Sequence, residues 1–523
     1  MQKRIFNTTG YCNPEWHYII NPLRGLEGEI MNLINNNLYF VIHAPRQTGK
    51  TTLLHSLTRK LNNEGKYTAL VFSVEQAGYK SISIKEANYL MINAVYNQAM
   101  HFLAQDKMPP MIEAYQGSTL YNYMSDWAKQ SNLPLVLFID EIDALIDDTL
   151  ISVLRQLRDG FQLRPKNFPA SIGLIGLRDV RDYKDRVRDN DRSIGSGSPF
   201  NIKAKSFSLK NFSKQEIADL YQQYTNETGQ VFSNEVIELI YVYTSGQPWL
   251  TNALALEITE EILKKDYSLP ITPEIARQAK ENLILRRDTH LDSLMDKLQD
   301  ERVKPIIQSI ISGSDLVYNE YNDKIQYAID LGIVKRTKNG IVISNQIYNE
   351  IIPRVLNLSF QDSLQGKIEI NRFIKPDGKL DMEALLKDFQ EFYRENSESW
   401  IERFSYKEAG HQLLIMAFLQ RVLNGGGNIQ REMAIGQGRT DLLVEFAGER
   451  FILELKIKNS NYKQEKAFVQ LSRYLDKLGQ KHGYLILFEI KPSTEISWED
   501  RIKWEKTEFE YLGLTRKITI VEM

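Results

Sequence analysis

The chain has 523 residues, enough at roughly 100–200 residues per domain for three or four domains rather than one core. Sixty-five basic residues against sixty-seven acidic ones leave a net charge of -2, so the overall balance singles out no polyanionic partner. No apolar run approaches a membrane span, the first residues carry no signal-like apolar core, and the single cysteine, Cys12, excludes an intrachain disulfide and a cysteine-cluster zinc site. A cytoplasmic protein without membrane contact is the expectation.

From Asn37 to about Phe200 four apolar runs, LYFVIHA, YTALVFS, LPLVLFID and ASIGLIGL, alternate with polar stretches of helical pattern. Such alternation predicts βαβ units and a parallel sheet covered on both faces. The first run leads into Ala44, Pro45, Arg46, Gln47, Thr48, Gly49, Lys50, Thr51 and Thr52, after which Leu53, Leu54 and Leu57 open a helix. Strand, loop and helix are what a phosphate loop requires, because backbone N–H groups and a helix N-terminus must converge on the polyphosphate. Lys50 is expected on the β- and γ-phosphates and Thr51 on magnesium; Ala44 stands where the first glycine is usual. The third run ends in Asp140 and Glu141, read as magnesium holder and activator of the attacking water, with Asp143 read as a solvated first-turn acid. The fourth delivers Arg178 and Asp179 to the same edge, where Arg178 is placed to sense the γ-phosphate. Residues 151–210 hold thirteen Lys/Arg against six Asp/Glu, a local cationic excess that offers Arg155, Arg158 or Arg186 as a trans-acting arginine or a nucleic-acid contact.

After about Phe207 the apolar strand runs stop and capped helices follow: Ser213 with Glu216 reads as a capping box and Thr272-Pro273-Glu274 as a second helix start. Between Thr289 and Leu356 helical stretches flank two β-runs around Lys338-Asn339-Gly340, a hairpin signal that predicts a small winged-helix unit. The segments APRQTGKTTLL, FIDEID, GLRDVRDYK and Gly246-Gln247-Pro248-Trp249 together resemble the AAA-like ATPases of the STAND-related group over residues 15–355. That resemblance implies a nucleotide-driven ATPase with a helical lid and winged helix, and places Pro248 near the nucleotide base.

Beyond Pro353 a second α/β pattern begins: a helix over SYKEAGHQLLIMAFLQRVL, two strands in RTDLLVEFAGERFILELKI turning at Ala447-Gly448, a helix over QEKAFVQLSRYLDKLG, a strand over GYLILFEI and a mixed tail. On a strand Glu454 and Lys456 face one side with Leu455 opposite, and a short turn can bring Asp441 alongside. Two carboxylates and a lysine make a hard-oxygen metal site with a cation beside it, suited to phosphodiester hydrolysis. Asp441 and Glu454 are the expected ligands, and Lys456 orients the water or meets the charge of the transition state. Glu408 and His411 sit one helical turn apart on the preceding helix, His411 read as a packed residue, and Gln470 and Tyr474 are spaced i and i+4 on the following one. The order Glu, Asp, Glu-x-Lys, Gln-x-x-x-Tyr resembles the PD-(D/E)XK nuclease superfamily, especially its RecB-like branch, with Thr440 where that family's proline stands. The resemblance implies Gln470 and Tyr474 as a DNA-positioning pair, Glu408 as the helix carboxylate and Glu432 as an accessory acid.

The expected architecture is therefore α/β and multidomain: a P-loop parallel-sheet ATPase core over 1–205, a helical lid over 206–288, a winged-helix-like unit over 289–360 and a restriction-endonuclease-like domain over 361–523. The expected function is an ATP-regulated, magnesium-dependent nuclease, manganese also serving at its cleavage site, that acts as a homo-oligomer on nucleic acid, DNA foremost, under an activating signal. The resemblance sets it in prokaryotic antiviral defence or mobile-element biology. The alternatives are a nucleotide-switched sensor or scaffold that binds DNA or a partner without cutting, and a DNA-translocating motor.

Overall fold

The computed structural model describes residues 3–178, 202–286, 294, 296–311, 322–338, 340–356, 370–401, 410–423, 427–431, 434–435, 438–439, 442–458, 462–489 and 502–523. It divides into two compact units, Met1–His290 with Gln326–Ile333 and Leu291–Ile325 with Val334–Met523.

In the first unit five strands, β1 (Tyr39–His43), β2 (Thr68–Ser73), β3 (Leu135–Asp140), β4 (Ser171–Gly176) and β5 (Lys203–Ser208), form one sheet in the order β2-β3-β4-β1-β5. Every neighbouring pair is parallel. The apolar runs of β1 to β4 are continuous because both faces are covered, and their period of two divides the side chains between two cores. Tyr39, Val41, Leu137 and Ile139 pack with the helices Ile84–Phe102, Leu120–Gln130 and Asp147–Gly160. Phe40, Ile42, Val136 and Phe138 pack with Glu27–Asn35 and Lys50–Glu64. β5 escapes the apolar-run rule: it is an edge strand whose KAKSFS sequence buries only Phe207.

The helices Lys214–Thr228, Asn234–Thr244, Pro248–Leu256 and Pro273–Arg286 follow. The capping box is formed, Glu216 N donating to Ser213 Oγ at 3.2 Å and Ser213 N to Glu216 Oε2 at 2.7 Å. Thr272 caps as expected, accepting from Ile275 N at 3.3 Å. The N-terminal segment is anchored on these helices through Phe6 and Tyr18, whose rings lie 5.5 and 5.8 Å from Tyr221 and Tyr224 respectively.

In the second unit β6 (Val334–Thr337) and β7 (Gly340–Ile343) form the expected hairpin, followed by the helix Gln346–Leu356, which contains Pro353. The helices Met382–Ile401 and Gly410–Leu423 precede a six-stranded sheet. Its strands are β8 (Gly427–Arg431), β11 (Leu442–Phe446), β12 (Glu449–Ile457), β13 (His482–Phe488), β14 (Lys503–Tyr511) and β15 (Leu514–Glu522), while β9 (Ala434–Ile435) and β10 (Gly438–Arg439) pair separately. The sheet order is β14-β15-β13-β12-β11-β8, with β12, β13 and β15 mutually parallel and the remaining pairs antiparallel. The helix Gln464–Lys477 makes the crossover from β12 to β13 and packs Ala467, Leu471 and Leu475 on the face bearing Ile452, Leu443 and Leu485. The tail expected to be mixed is the antiparallel β14–β15 hairpin.

Candidate functional site

β1 passes into the loop 44–49, and the helix Lys50–Glu64 begins at once. Gly49 has φ +91, a conformation open to glycine, while Gln47 adopts φ +60 at a cost of about 1–2 kcal/mol, strain typical of ligand loops. Ala44 needs no such freedom: it is 1% exposed and donates its N–H to Gly176 O of β4 at 3.2 Å. The Lys50 ammonium closes the loop by donating to Ala44 O at 2.7 Å and Pro45 O at 2.9 Å, and the buried Thr48 hydroxyl donates to Pro45 O at 2.7 Å. Arg46 and Gln47 are exposed at the loop tip. The Thr51 hydroxyl donates to Asp140 Oδ2 at 3.3 Å. Thr52, expected with the nucleotide set, receives the Cys12 N–H at 3.0 Å.

Asp140 ends β3 and is 7% exposed. The next residue, Glu141, has φ +59 and donates its N–H to Asp140 Oδ1 at 2.9 Å. The Ser73 hydroxyl, on the last residue of β2 and in register with Asp140, donates to the Glu141 carboxylate. Burial, reinforced by the Glu141 charge, raises the Asp140 carboxyl to about 6, and burial lowers the Lys50 ammonium to about 8 against the opposing pull of Asp140. Asp143 is not a solvated acid: it is half-buried and accepts from Leu177 N at 3.2 Å, tying the end of β4 to the turn after β3.

Arg178 leaves β4, the strand between β1 and β3, but its guanidinium is already engaged, donating from Nε to Asp330 Oδ2 at 3.3 Å. Pro248 is the buried first residue of its helix; Gln247 caps that helix by accepting from Leu250 N at 2.6 Å and reaches Gln47 O of the phosphate loop at 3.4 Å. Gly246 permits the turn, since at φ +72 an added Cβ would stand 1.8 Å from Phe212 O. A cavity of about 230 Å³ opens beside the first two turns of the helix Lys50–Glu64, lined by Tyr11, Cys12, Ile20, Thr52, His55 and Arg59 among others. Within it Tyr11 stacks on His55 at 4.4 Å. Arg155 and Arg158 are exposed on Asp147–Gly160, while Asp179 and Arg186 lie outside the described residues.

In the second unit Glu454 is 0% exposed, and Lys456 Nζ lies 2.6 Å from its Oε1. Gln470 is half-buried. Tyr474, expected to position DNA, is 1% exposed and packs in the core with Leu471 and Leu485. His411 is buried and bonded to Tyr393 Oη at 2.5 Å, and burial lowers its pKa to about 4, as befits a packed residue. Asp441, Glu408, Glu432 and Thr440 lie outside the described residues. Among the described residues no group of three or more His, Cys, Asp or Glu is placed to hold a metal ion, and no helix is long and apolar enough to cross a membrane.

Sequence reasoning missed Ser73, Gln247 and Asp330. Only for Gln247, beside the Gly-x-Pro turn, was there a signal, as a polar residue directly before a helix-opening proline.

Three solved structures are similar to the chain at low identity. The chain is similar to the Walker-type ATPase PABY2304 of Pyrococcus abyssi at 14% identity and a TM-score of 0.47, over 66% of this chain and 99% of that one. It is similar to the Thermotoga maritima RuvB Holliday junction branch migration motor at 15% identity and 0.34, over 63% and 95%, and to Cdc6p from Pyrobaculum aerophilum at 14% and 0.34, over 67% and 97%. No curated protein matches the chain. The family model of the AAA-like domain matches residues 24–353, spanning the phosphate loop, the acidic end of β3 and the helices that follow, and by that match the chain belongs to the AAA-like domain family.

Proposed function

We propose that the chain binds ATP with magnesium at the phosphate loop, hydrolyses it, and through that cycle governs phosphodiester cleavage of nucleic acid, DNA foremost, by its second unit. The observation that carries the reading is the 3.3 Å approach of Thr51 Oγ1 to Asp140 Oδ2, which brings the phosphate loop and the acidic strand end to one point. This hydroxyl and carboxylate fit the coordination of a hard divalent cation, and magnesium bound there neutralises charge on the phosphates. Lys50 leaves its two loop carbonyls for phosphate oxygens, and Glu141 holds and deprotonates the attacking water. The cavity beside Tyr11, Cys12 and His55 has room for the nucleoside, with Gln247 and Pro248 closing over the loop. The exposed Arg155 and Arg158 are candidates to complete a neighbour's site in a homo-oligomer.

The nuclease half is supported by Glu454 and Lys456. A carboxylate with no solvent exposure beside an ammonium is costly as packing alone and well suited to metal-assisted hydrolysis. In sequence Asp441 directly precedes Leu442, whose register partner Leu453 is the neighbour of Glu454. Asp441 and Glu454 would hold magnesium, or manganese in its place, and Lys456 would steady the developing charge. The defence or mobile-element setting rests on the family resemblance of the two modules. A second reading, a nucleotide-switched scaffold that binds DNA or a partner without cutting, is favoured by the burial of Tyr474 in the core. Supercoiled, linear and single-stranded DNA incubated with magnesium, with and without ATP and a nonhydrolysable analogue, decides between them. Cleavage lost in Glu454→Ala and Lys456→Ala while ATP hydrolysis persists supports the nuclease; no cleavage by the unaltered chain under any of these conditions supports the scaffold.

A further inference from the structure

The short segment Gln326–Ile333 packs with the nucleotide-binding unit, although the chain before and after it belongs to the other unit. Asp330 closes the helix Asp323–Asp330 and is 6% exposed. Its Oδ2 takes the Arg178 Nε–H at 3.3 Å and its Oδ1 takes a Gln326 amide hydrogen at 2.8 Å. The Arg178 guanidinium also lies over the Tyr327 ring, 4.9 Å from its centroid. Two residues beyond Asp330, Gly332 has φ +75 and sits so close to the phosphate loop that an added Cβ would stand 2.8 Å from Pro45 Cγ. The segment thus touches the site twice, at Arg178 beyond β4 and at Pro45 beyond β1.

We propose that Asp330 is a positioning residue that competes with the γ-phosphate of bound nucleotide for Arg178, so that a triphosphate, unlike a diphosphate, draws the arginine away from the segment Gln326–Ile333. The proposal rests on the nucleotide reading above and names the regulation of that site. A guanidinium donates in one planar fork, and phosphate and carboxylate oxygens are rival acceptors for it. A ligand shifts an equilibrium only by its differential affinity for the two states, and the γ-phosphate is the group that ATP has and ADP lacks. Because Ile325 and Val334 continue the segment covalently into the second unit, its release carries nucleotide state into that unit. A static role, in which the pair only fixes Arg178 against the sheet, makes no distinction between the two nucleotides.

The test is equilibrium binding of a nonhydrolysable ATP analogue and of ADP to the full chain and to Asp330→Asn, which keeps the shape and removes the charge. The latch predicts tighter analogue binding by between about 5-fold and 150-fold with ADP affinity unchanged, and loss of that effect in an Arg178→Ala background. Asp330→Glu, which restores the charge, is expected to return the ratio toward that of the unaltered chain. An equal change for both nucleotides, no change for either, or the same change without Arg178 would overturn the proposal. Amide hydrogen exchange over residues 326–333 of the unaltered chain gives a check independent of any variant's folding: faster exchange with the analogue than with ADP supports the latch, and equal exchange rejects it. Failure of the unaltered chain to bind either nucleotide would overturn the phosphate-loop reading and the latch with it, whereas normal binding without the predicted difference would overturn the latch alone.

Discussion

The Ser73 hydroxyl at the end of β2 donates to the Glu141 carboxylate at the end of β3, across two neighbouring parallel strands. The left-handed backbone of Glu141 turns its side chain back toward that hydroxyl. If Glu141 activates water, Glu141→Gln should lower kcat for ATP hydrolysis by about 10²–10⁴-fold and leave nucleotide affinity in place, as steady-state rates paired with equilibrium binding would reveal. Ser73→Ala should change kcat and not Kd, since it alters only where the carboxylate rests.

Two titrations bound the pH range of the hydrolysis. If Asp140 holds magnesium and Lys50 meets phosphate, the first must be ionised and the second protonated, and their pKa values are pushed to about 6 and about 8. The kcat/KM profile should therefore rise through about pH 6 and fall through about pH 8, as apparent values of a coupled pair. Stability without nucleotide has the opposite acid limb. Folded Asp140 holds its proton more tightly than the unfolded residue, so its contribution is present below its ordinary 3.8 and is lost as pH rises through about 6. Asp140→Asn should flatten that loss in urea titrations carried out across the range.

Gly246 is a conformational requirement of the turn that brings Gln247 to the phosphate loop. Gly246→Ala adds a Cβ 1.8 Å from Phe212 O at φ +72, an overlap with backbone that no rotamer relieves. A loss of more than about 2 kcal/mol is expected, read as a lower denaturation midpoint and weaker nucleotide binding.

Removing the Lys456 ammonium leaves the buried Glu454 charge without the cation 2.6 Å away. Lys456→Met should destabilise the chain by about 2 kcal/mol, less than the roughly 3–5 kcal/mol of a fully buried pair because Lys456 is itself 30% exposed, and adding Glu454→Gln should restore part of that loss. Denaturant midpoints of the two variants check the sign.

The first four strands were readable because both faces of a parallel sheet demand unbroken apolar runs, as in LVLFID of β3. β5 was not, because an edge strand can be written in lysine and serine. The phosphate loop and the Asp140-Glu141 strand end announce themselves by local order, which is also how the loop chemistry works. Asp330 carries no such mark: it meets Arg178 across 152 residues, and only the folded chain decides that encounter. Ser73 is equally silent, since strand order and register bring it to Glu141. Tyr474 shows the reverse limit, a helix spacing that matches a family motif yet places the ring in the core.

In the function proposed above, the loop between β1 and the helix Lys50–Glu64 binds ATP through Lys50. Calorimetric titration of magnesium-ATP into the full chain and into Lys50→Ala tests it most directly: saturable binding by the unaltered chain and none by the variant is the predicted result, and equal affinity in both would contradict it.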